Sequence, residues 1–582
     1  MTRAPLSLAP ARANLRDHPG GGYVLTSTHG LPDPVDHLLV LLERWAERAP
    51  DRPFLAERPA PGAAGWTTTT FGETWRRAPH LAGGLRALGV SAERPLMVLS
   101  DNSVTQGLLT FATMAAGAPI APVSPAYSLL SQDHAKLKDV AAQLTPGAIY
   151  VEDAALYGKA LAALGLDVPI IARRNGGTHT VDELEQAAPF MASLGPDSIA
   201  KVLFTSGSTG RPKGVINTQR MLCSNQRAIE VMWPFLAERP PVLVDWLPWS
   251  HTFGGNHNLN MMLHNGGTLY IDGGKPAPGR FDETVRNLAE VPSTLHFNVP
   301  GGYGLLVDAL EADDALRDTF FSRLDVIFYA AAALPQNLWT RLEALSMASR
   351  GERVHMLSAW GSTETSPLCT SVHFPIDRAG VLGLPAPGTE IRLVPTDDDR
   401  LELRVRGPNV TPGYWRSPEL TAEAFDEDGF VHMGDAARFA DPEDPSQGIV
   451  FAGRTAENFK LMSGTWVLVG TLRVDLVAAC EGLVQDCVVA GHDREAIGLL
   501  VFPTPAGVAA GPEAIREKLA AFNDANPSNS RRVARLLVLE EPPNIDAGEI
   551  TDKGYINQRA VLTHRAEQVE ALFGQGRRSL GV

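Results

Sequence analysis

Residues 203–215 read LFTSGSTGRPKGV. Thr205, Ser206, Ser208 and Thr209 bring hydroxyl donors, Gly207, Gly210 and Gly214 let the backbone fold back on itself, and Lys213 adds a point charge. Successive backbone N–H groups in such a turn converge into a nest for an anion, and hydroxyls and an ammonium complete a cradle for phosphate oxygens. The competing reading is a solvated flexible loop, which is what most Ser/Gly-rich stretches are. A Pro-Lys-Gly run directly before the apolar VIN speaks against it. The Walker A pattern fails, because Pro212 stands where its second glycine belongs and Gly214 follows Lys213 in place of Ser or Thr. Kinase or GTPase chemistry of the P-loop type is not indicated.

A phosphate cradle needs rigid support. VLFT at 202–205, VLVDWL at 242–247, DVIFYA at 325–330 and VHMLSAW at 354–360 read as buried strands, preceded or separated by helical patterns such as LEQAAPFMASL. That alternation predicts an α/β domain with a largely parallel sheet. Near residue 385 the texture changes: LPAPGTEIRLVPTDDDRLELRVRG reads as two strands joined by an acidic turn. After GRTAENFK at 453–460, a helix (DLVAACEGL), two strands (DCVVAGHD and IGLLVFP), a charged helix (IREKLAAFN) and a strand (RLLVLE) make a compact α+β unit. The expected organisation is a large N-terminal domain over 1–453 with mixed and parallel sheets. Its antiparallel subdomain, about 385–453, is β-barrel-like, and a small mobile α+β lid domain follows over 454–582.

At 582 residues the chain exceeds one compact core. The formal charge of −15 argues against a nucleic-acid partner, which would need a basic face. No apolar run is long enough to cross a membrane, and the first residues lack the apolar core of a secretory signal. That N-terminal stretch reads as a loose leader. Cys223, Cys369, Cys480 and Cys487 form no CxxC pair or metal-ligand spacing, so they read as buried thiols in a reducing cytoplasm. A homodimer is left open.

TSGSTGRPKGV resembles the signature loop of the adenylate-forming superfamily, which contains acyl-CoA synthetases, adenylation domains of peptide synthetases and luciferases. Further matches follow in family order: FYAAAALP at 328–335 for a Gly-Gly-Ala-x-Leu-Pro loop, WGSTE at 360–364 for Tyr-Gly-x-Thr-Glu, HMGD at 432–435 for Thr-Gly-Asp, GR at 453–454, and ITDKGY at 550–555 for the terminal lysine motif. The resemblance implies ATP, Mg²⁺ and coenzyme A as cofactors. A carboxylate attacks the α-phosphorus of ATP, pyrophosphate leaves, and a thiol then displaces AMP. By the same resemblance, Thr205 to Gly210 and Lys213 cradle the leaving phosphates, with Thr209 among the catalytic residues. Glu364 ligates Mg²⁺, a hard cation suited to carboxylate oxygen. Thr363 contacts phosphate, Trp360 stacks on adenine, Ala332 and Gly361 are further cofactor-binding positions, and Asp435 and Arg454 hold the ribose. Lys553 neutralises charge in the first half-reaction, and Lys460 and Gly464 face the pantetheine tunnel once the small domain has rotated. Two departures stand out. Ala456 occupies the usual hinge position of Asp or Lys, where neighbouring Glu457 is a candidate substitute, and VLVGTLR replaces a common Pro-x-Glu-Ile-Glu.

PWSH places His251 where the family has a histidine at the mouth of the acyl pocket, and a purely structural role is about as well supported. The stretches PVSPAYSLLSQDHAKLK, WSHTFGGNHNLNMMLHNGGTLYIDGGKP, FKLMSGTWVLVGTLR and GEITDKGYINQRAVL resemble the bacterial feruloyl-CoA synthetases in particular. This implies a small-molecule aromatic acid: ferulate, with p-coumarate and caffeate as relatives. Ala330 to Ala333 could leave room for a flat ring or merely pack a strand, and Asn256 and Asn258 could bond ring oxygens or form turns. A ligase for a fatty or benzoic acid, an acyl-AMP ligase and a non-catalytic nucleotide-binding protein are the alternatives.

Overall fold

The computed structural model describes residues 4–206, 211–277, 279–332, 334–376, 380–397, 400–551, 556–574 and 580–582. Two sheets carry the larger, N-terminal domain. The first has seven strands in the order Pro212–Thr218, Ile199–Ser206, Ile120–Val123, Leu96–Leu99, Ala148–Asp153, Ile170–Arg174, His179–Thr180. All its neighbours run parallel except the edge pair, Ile199–Ser206 and Pro212–Thr218, which form an antiparallel hairpin. Strands of this sheet such as Leu96–Leu99 and Ile120–Val123 are buried throughout, as continuous apolar runs covered on both faces must be. The helix Val104–Ala115 behind them is buried at every residue, and Ser103 caps it by accepting from the Gln106 N–H.

The second sheet has eleven strands. At one end Leu295–Asn298, Val326–Tyr329 and His355–Gly361 pair in parallel. From there the sheet continues antiparallel through Leu368–Val372, Val381–Pro385, Ile449–Arg454, Val431–Phe439, Leu401–Arg406 and Glu390–Pro395 to the N-terminal hairpin Tyr23–Ser27 and Ala13–Asp17. The two strands expected around the acidic turn pair as anticipated, but they close no barrel: they extend a sheet shared with the parallel strands. A separate four-stranded sheet, Val242–Asp245, Thr268–Ile271, Pro53–Glu57 and Thr67–Thr70, completes this domain.

The smaller, C-terminal domain has its own four-stranded sheet, Val484–Ala490, Ile497–Pro503, Val533–Val538 and Leu580–Gly581. The helices Val469–Ala479, Pro512–Ala525, Gln558–His564 and Ala566–Phe573 accompany it. Its apolar clusters draw only on residues from Phe459 onward, and those of the larger domain end at Ile449. All four cysteines are buried. Among the described residues no helix is long and apolar enough to cross a membrane.

Two further expectations need correction. LEQAAPFMASL is not a helix: helical structure stops at Glu185, because Pro189 cannot donate and its ring clashes with a preceding turn. The segment instead runs across two helices, with the Phe190 N–H donating to Pro79 O and the Ala192 N–H to Ala115 O. Nor is the N-terminus loose from residue 4 onward. The Ala4 N–H donates to Arg353 O and the Ala9 N–H to Met232 O, Leu6 and Leu8 pack on the main core, and Ala13–Asp17 joins the large sheet. These are long-range contacts that local composition does not encode.

Candidate active site

The hairpin at the edge of the seven-stranded sheet presents the glycine loop. Its ladder sets Thr205 opposite Lys213 and Ser206 opposite Pro212, so the two ends of the loop meet on adjacent strands. Gly214 fits here because a Cβ would press on Val202, Phe204 and Trp415 at 3.0–3.2 Å. Gly207, Ser208, Thr209 and Gly210 lie outside the described residues, as does Lys553.

Glu364 lies in a short 3-10 turn, Thr363–Thr365, just past the strand His355–Gly361. The turn starts at Gly361 because no larger residue fits: a Cβ there would sit 1.7 Å from Pro367 O. The Ser362 hydroxyl donates to Glu364 Oε2 at 2.8 Å, the Tyr414 hydroxyl donates to Oε1 at 3.0 Å, and the Thr411 N–H donates to the Glu364 carbonyl at 2.8 Å. Thr363 is buried beside it. Tyr414 also carries the Lys213 ammonium over its ring, 5.2 Å from the centroid. One phenol therefore joins the phosphate-loop lysine to the carboxylate expected to hold a metal. Sequence reading missed Tyr414, and GYW at 413–415 gives no local sign that it reaches a residue so far back in the chain.

A single carboxylate fits Mg²⁺ in this setting. Among the described residues no group of three or more His, Cys, Asp or Glu converges on a cation. Mg²⁺ keeps most of its waters and is commonly held by one or two carboxylates together with substrate phosphates.

The residues expected around the sugar and base do meet. The ladder between Val431–Phe439 and Ile449–Arg454 sets Asp435 opposite Arg454. The Trp360 indole N–H donates to Asp435 Oδ2 at 2.8 Å. Arg454 Nε lies 3.0 Å from Oδ1, off the hydrogen-bond direction, so that buried oxygen has no aligned donor among the described residues. Burial pushes the Asp435 carboxyl above its ordinary range, against the opposing pull of Arg454 and Trp360. An ionised, buried carboxylate with a free acceptor position is suited to receive hydroxyl hydrogens from a ligand. Trp360 itself is only 8% exposed and packs with Leu25, Cys369 and Ile391 in the sheet's core.

The alanine stretch divides: Ala330 is half-buried and packs on the main core, Ala331 and Ala332 are exposed in a bend after Val326–Tyr329, and Ala333 lies outside the described residues. Ala331 takes φ +72, a conformation that favours the glycine the motif usually has there. His251 stands just before a π-helical turn, Phe253–Asn258. The asparagines of this turn direct their side-chain amides to protein partners: Asn256 donates to Asn217 and Thr252, and Asn258 donates to Asp245. Lys460 and Gly464 belong to a two-stranded ribbon leading into the smaller domain, where Lys460 lies 4.9 Å over the ring of its cross-strand partner Trp466 and Gly464 makes the turn at φ +80. Gly453 turns the chain at φ +89 towards the ribbon; Ala456 is exposed, and Glu457 is half-buried, its carboxyl pushed up by burial.

A family model described as AMP-binding enzyme matches residues 42–415, and one described as AMP-binding enzyme C-terminal domain matches residues 471–577. The chain is 26% identical over 577 residues to a long-chain-fatty-acid–CoA ligase of Mycobacterium bovis, covering 88% of this chain and 93% of that one. It is 30% identical over 382 residues to a feruloyl-CoA synthase of Amycolatopsis sp., covering 64% of this chain and 72% of the relative. In fold it is similar to the A-PCP didomain of carboxylic acid reductase from Segniliparus rugosus, solved with AMP. The TM-score is 0.75 at 21% identity, over 94% of this chain and 83% of that one.

Proposed function

The chain belongs to the AMP-binding enzyme family, and from that premise we propose that it is an AMP-forming acid–CoA ligase for ferulate and related hydroxycinnamates such as p-coumarate and caffeate. The observation that carries the ligase reading is the convergence of two groups: Lys213, Tyr414 and Glu364 on one side, and Trp360, Asp435 and Arg454 on the other. One member of each comes from the same stretch of chain: Trp360 lies near the end of the strand His355–Gly361, which runs directly into the Glu364 turn. The group expected to hold phosphate and metal is thus joined through four residues of chain to the group expected to hold the sugar.

In the first half-reaction a substrate carboxylate oxygen bonds to the α-phosphorus of ATP, and the bond to the bridging oxygen breaks to release pyrophosphate. Thr205 and Lys213 hold the departing phosphates, Asp435 and Arg454 hold the ribose, and Lys553 offsets charge at the reacting oxygens. Glu364 would hold Mg²⁺, which would supply neutralisation of phosphate charge. In the second, the sulfur of coenzyme A attacks the acyl carbon, AMP leaves with the bonding pair, and the thiol proton passes to solvent. Positioning and charge neutralisation are the protein's share of both steps. The aromatic acid is supported by the Amycolatopsis relative and by the stretches quoted above. The Mycobacterium relative supports a fatty acid as the second reading.

The test is a spectral assay with ferulate, ATP, Mg²⁺ and coenzyme A, following the red-shifted absorbance of the conjugated thioester. Product should form only in the complete mixture, and Lys553→Ala should slow it by about 10²–10³-fold, the usual loss for one such donor. Pyrophosphate release with a fatty acid and none with ferulate would reject the hydroxycinnamate and retain the ligase. Folded protein inactive on a broad panel of acids would leave only nucleotide binding.

A further inference from the structure

Tyr414 lies on a strap, residues 409–416, that is tied on both sides. Towards the glycine-loop hairpin, the Trp415 N–H donates to Gly214 O at 2.7 Å, the Ile216 N–H donates to Gly413 O at 3.1 Å, and Tyr414 forms a β-bridge with Val215. Towards the Glu364 turn, Asn409 donates to Leu368 O at 3.0 Å, Ser366 donates to Asn409 O at 3.2 Å, and the Thr411 N–H reaches the Glu364 carbonyl. The Tyr414 N–H donates to the Thr421 hydroxyl at 2.9 Å, and Gly413 is held against that same side chain, where a Cβ would come within 2.4 Å of Thr421 Cγ2. The ring is 9% exposed. Few routes remain for the phenol to leave its place.

Lys213 and Glu364 carry opposite charges and share this one neighbour, yet among the described residues they form no ion pair with each other. Were they to collapse together, each would have to be pulled away before it could take a phosphate or a metal. A ring face and a hydroxyl hold the two charges by weaker bonds that a ligand can replace or supplement.

We propose that Tyr414 is a positioning residue for the triphosphate site, its hydroxyl aiming Glu364 at the metal and its ring keeping Lys213 apart from Glu364 and facing the phosphates. This rests on the assignment of Glu364 and Lys213 made above. The test separates hydroxyl from ring with Tyr414→Phe and Tyr414→Leu, and reads binding without turnover. Mn²⁺ replaces Mg²⁺ as a paramagnetic probe: Mn²⁺·ATP binding is followed by electron paramagnetic resonance, and ATP binding in a chelator by calorimetry. Tyr414→Phe should weaken Mn²⁺·ATP by about tenfold, the usual order for losing a partner of a metal ligand, with metal-free ATP unchanged. Tyr414→Leu should weaken both. Tyr414→Phe binding Mn²⁺·ATP like the wild type would overturn the proposal, whatever Tyr414→Leu does. Wild type that binds ATP equally with and without metal, and is unaltered by Glu364→Gln, would instead overturn the metal assignment on which the proposal stands.

Discussion

Trp360 shows how one side chain can serve packing and binding at once. Its ring belongs to the core of the large sheet, and its N–H holds one oxygen of Asp435. A phenylalanine would keep most of the packing and lose the donor, leaving a buried carboxylate oxygen unsatisfied and its proton harder to remove. Trp360→Phe should therefore weaken ATP binding by about tenfold, the equivalent of roughly 1.4 kcal/mol for a charge-assisted hydrogen bond. Binding of 2′,3′-dideoxy-ATP, which cannot use Asp435 through either hydroxyl, should change much less. Calorimetry on the two nucleotides checks this; equal losses for both would mean that the indole acts through the base or the core alone.

Among the elements, the strand Ile199–Ser206 does more than lead into the glycine loop. Its Lys201 is 2% exposed and donates to the Gly255 carbonyl, at 2.6 Å, inside the π-helical turn that follows His251. A π-turn shifts the helical hydrogen-bond register, and a lysine amino group, charged or neutral, can donate to a carbonyl displaced by it. Burial lowers the Lys201 pKa from 10.5 to about 7. Between those values the unfolded chain holds a proton that the folded chain has released, so this site's contribution to stability rises with pH across the window. Lys201→Met removes that dependence. Chemical denaturation at pH 7 and 9 should show the wild type gaining on Lys201→Met as pH rises, and a constant difference would count against the burial-driven shift.

For the molecule as a whole, the two domains are joined by hydrogen bonds just ahead of the lysine motif. Lys136 of the larger domain donates to Ile545 O at 2.6 Å, and the Gln132 N–H donates to Asp546 Oδ2 at 3.0 Å. The smaller domain presents these acceptors on a stiff loop: Asn544 accepts from the Asp546 and Ala547 N–H groups, and Glu549 pairs with Arg565 in a buried ion pair at 2.6 Å. Ile550 and Ile556 then bridge across the motif that contains Lys553. The double variant Lys136→Ala, Asp546→Ala removes two partly exposed hydrogen bonds, a loss of about 1 kcal/mol each. ATP–pyrophosphate exchange should fall by roughly tenfold or more, with the thermal midpoint little changed because neither side chain supports a core. Unaltered exchange would show that this contact does not position the lysine motif.

The sequence by itself determined the chemistry's parts list and the local elements. Glycine, hydroxyl and lysine spacing at 205–214 is the pattern expected of a phosphate cradle, and the apolar runs before it and around 326–329 and 355–361 mark buried strands, because these are properties of neighbouring residues. Pro189 was visible too, although the apolar pattern around it masked its effect. Only the tertiary structure decided which distant residues share a site. Tyr414 meets Glu364 because the strap pairs with one strand and caps the turn of another, Trp360 meets Asp435 because an eleven-stranded sheet brings their strands within reach, and the N-terminal segment is ordered by residues hundreds of positions away. Such contacts depend on strand order and register, which no local pattern encodes.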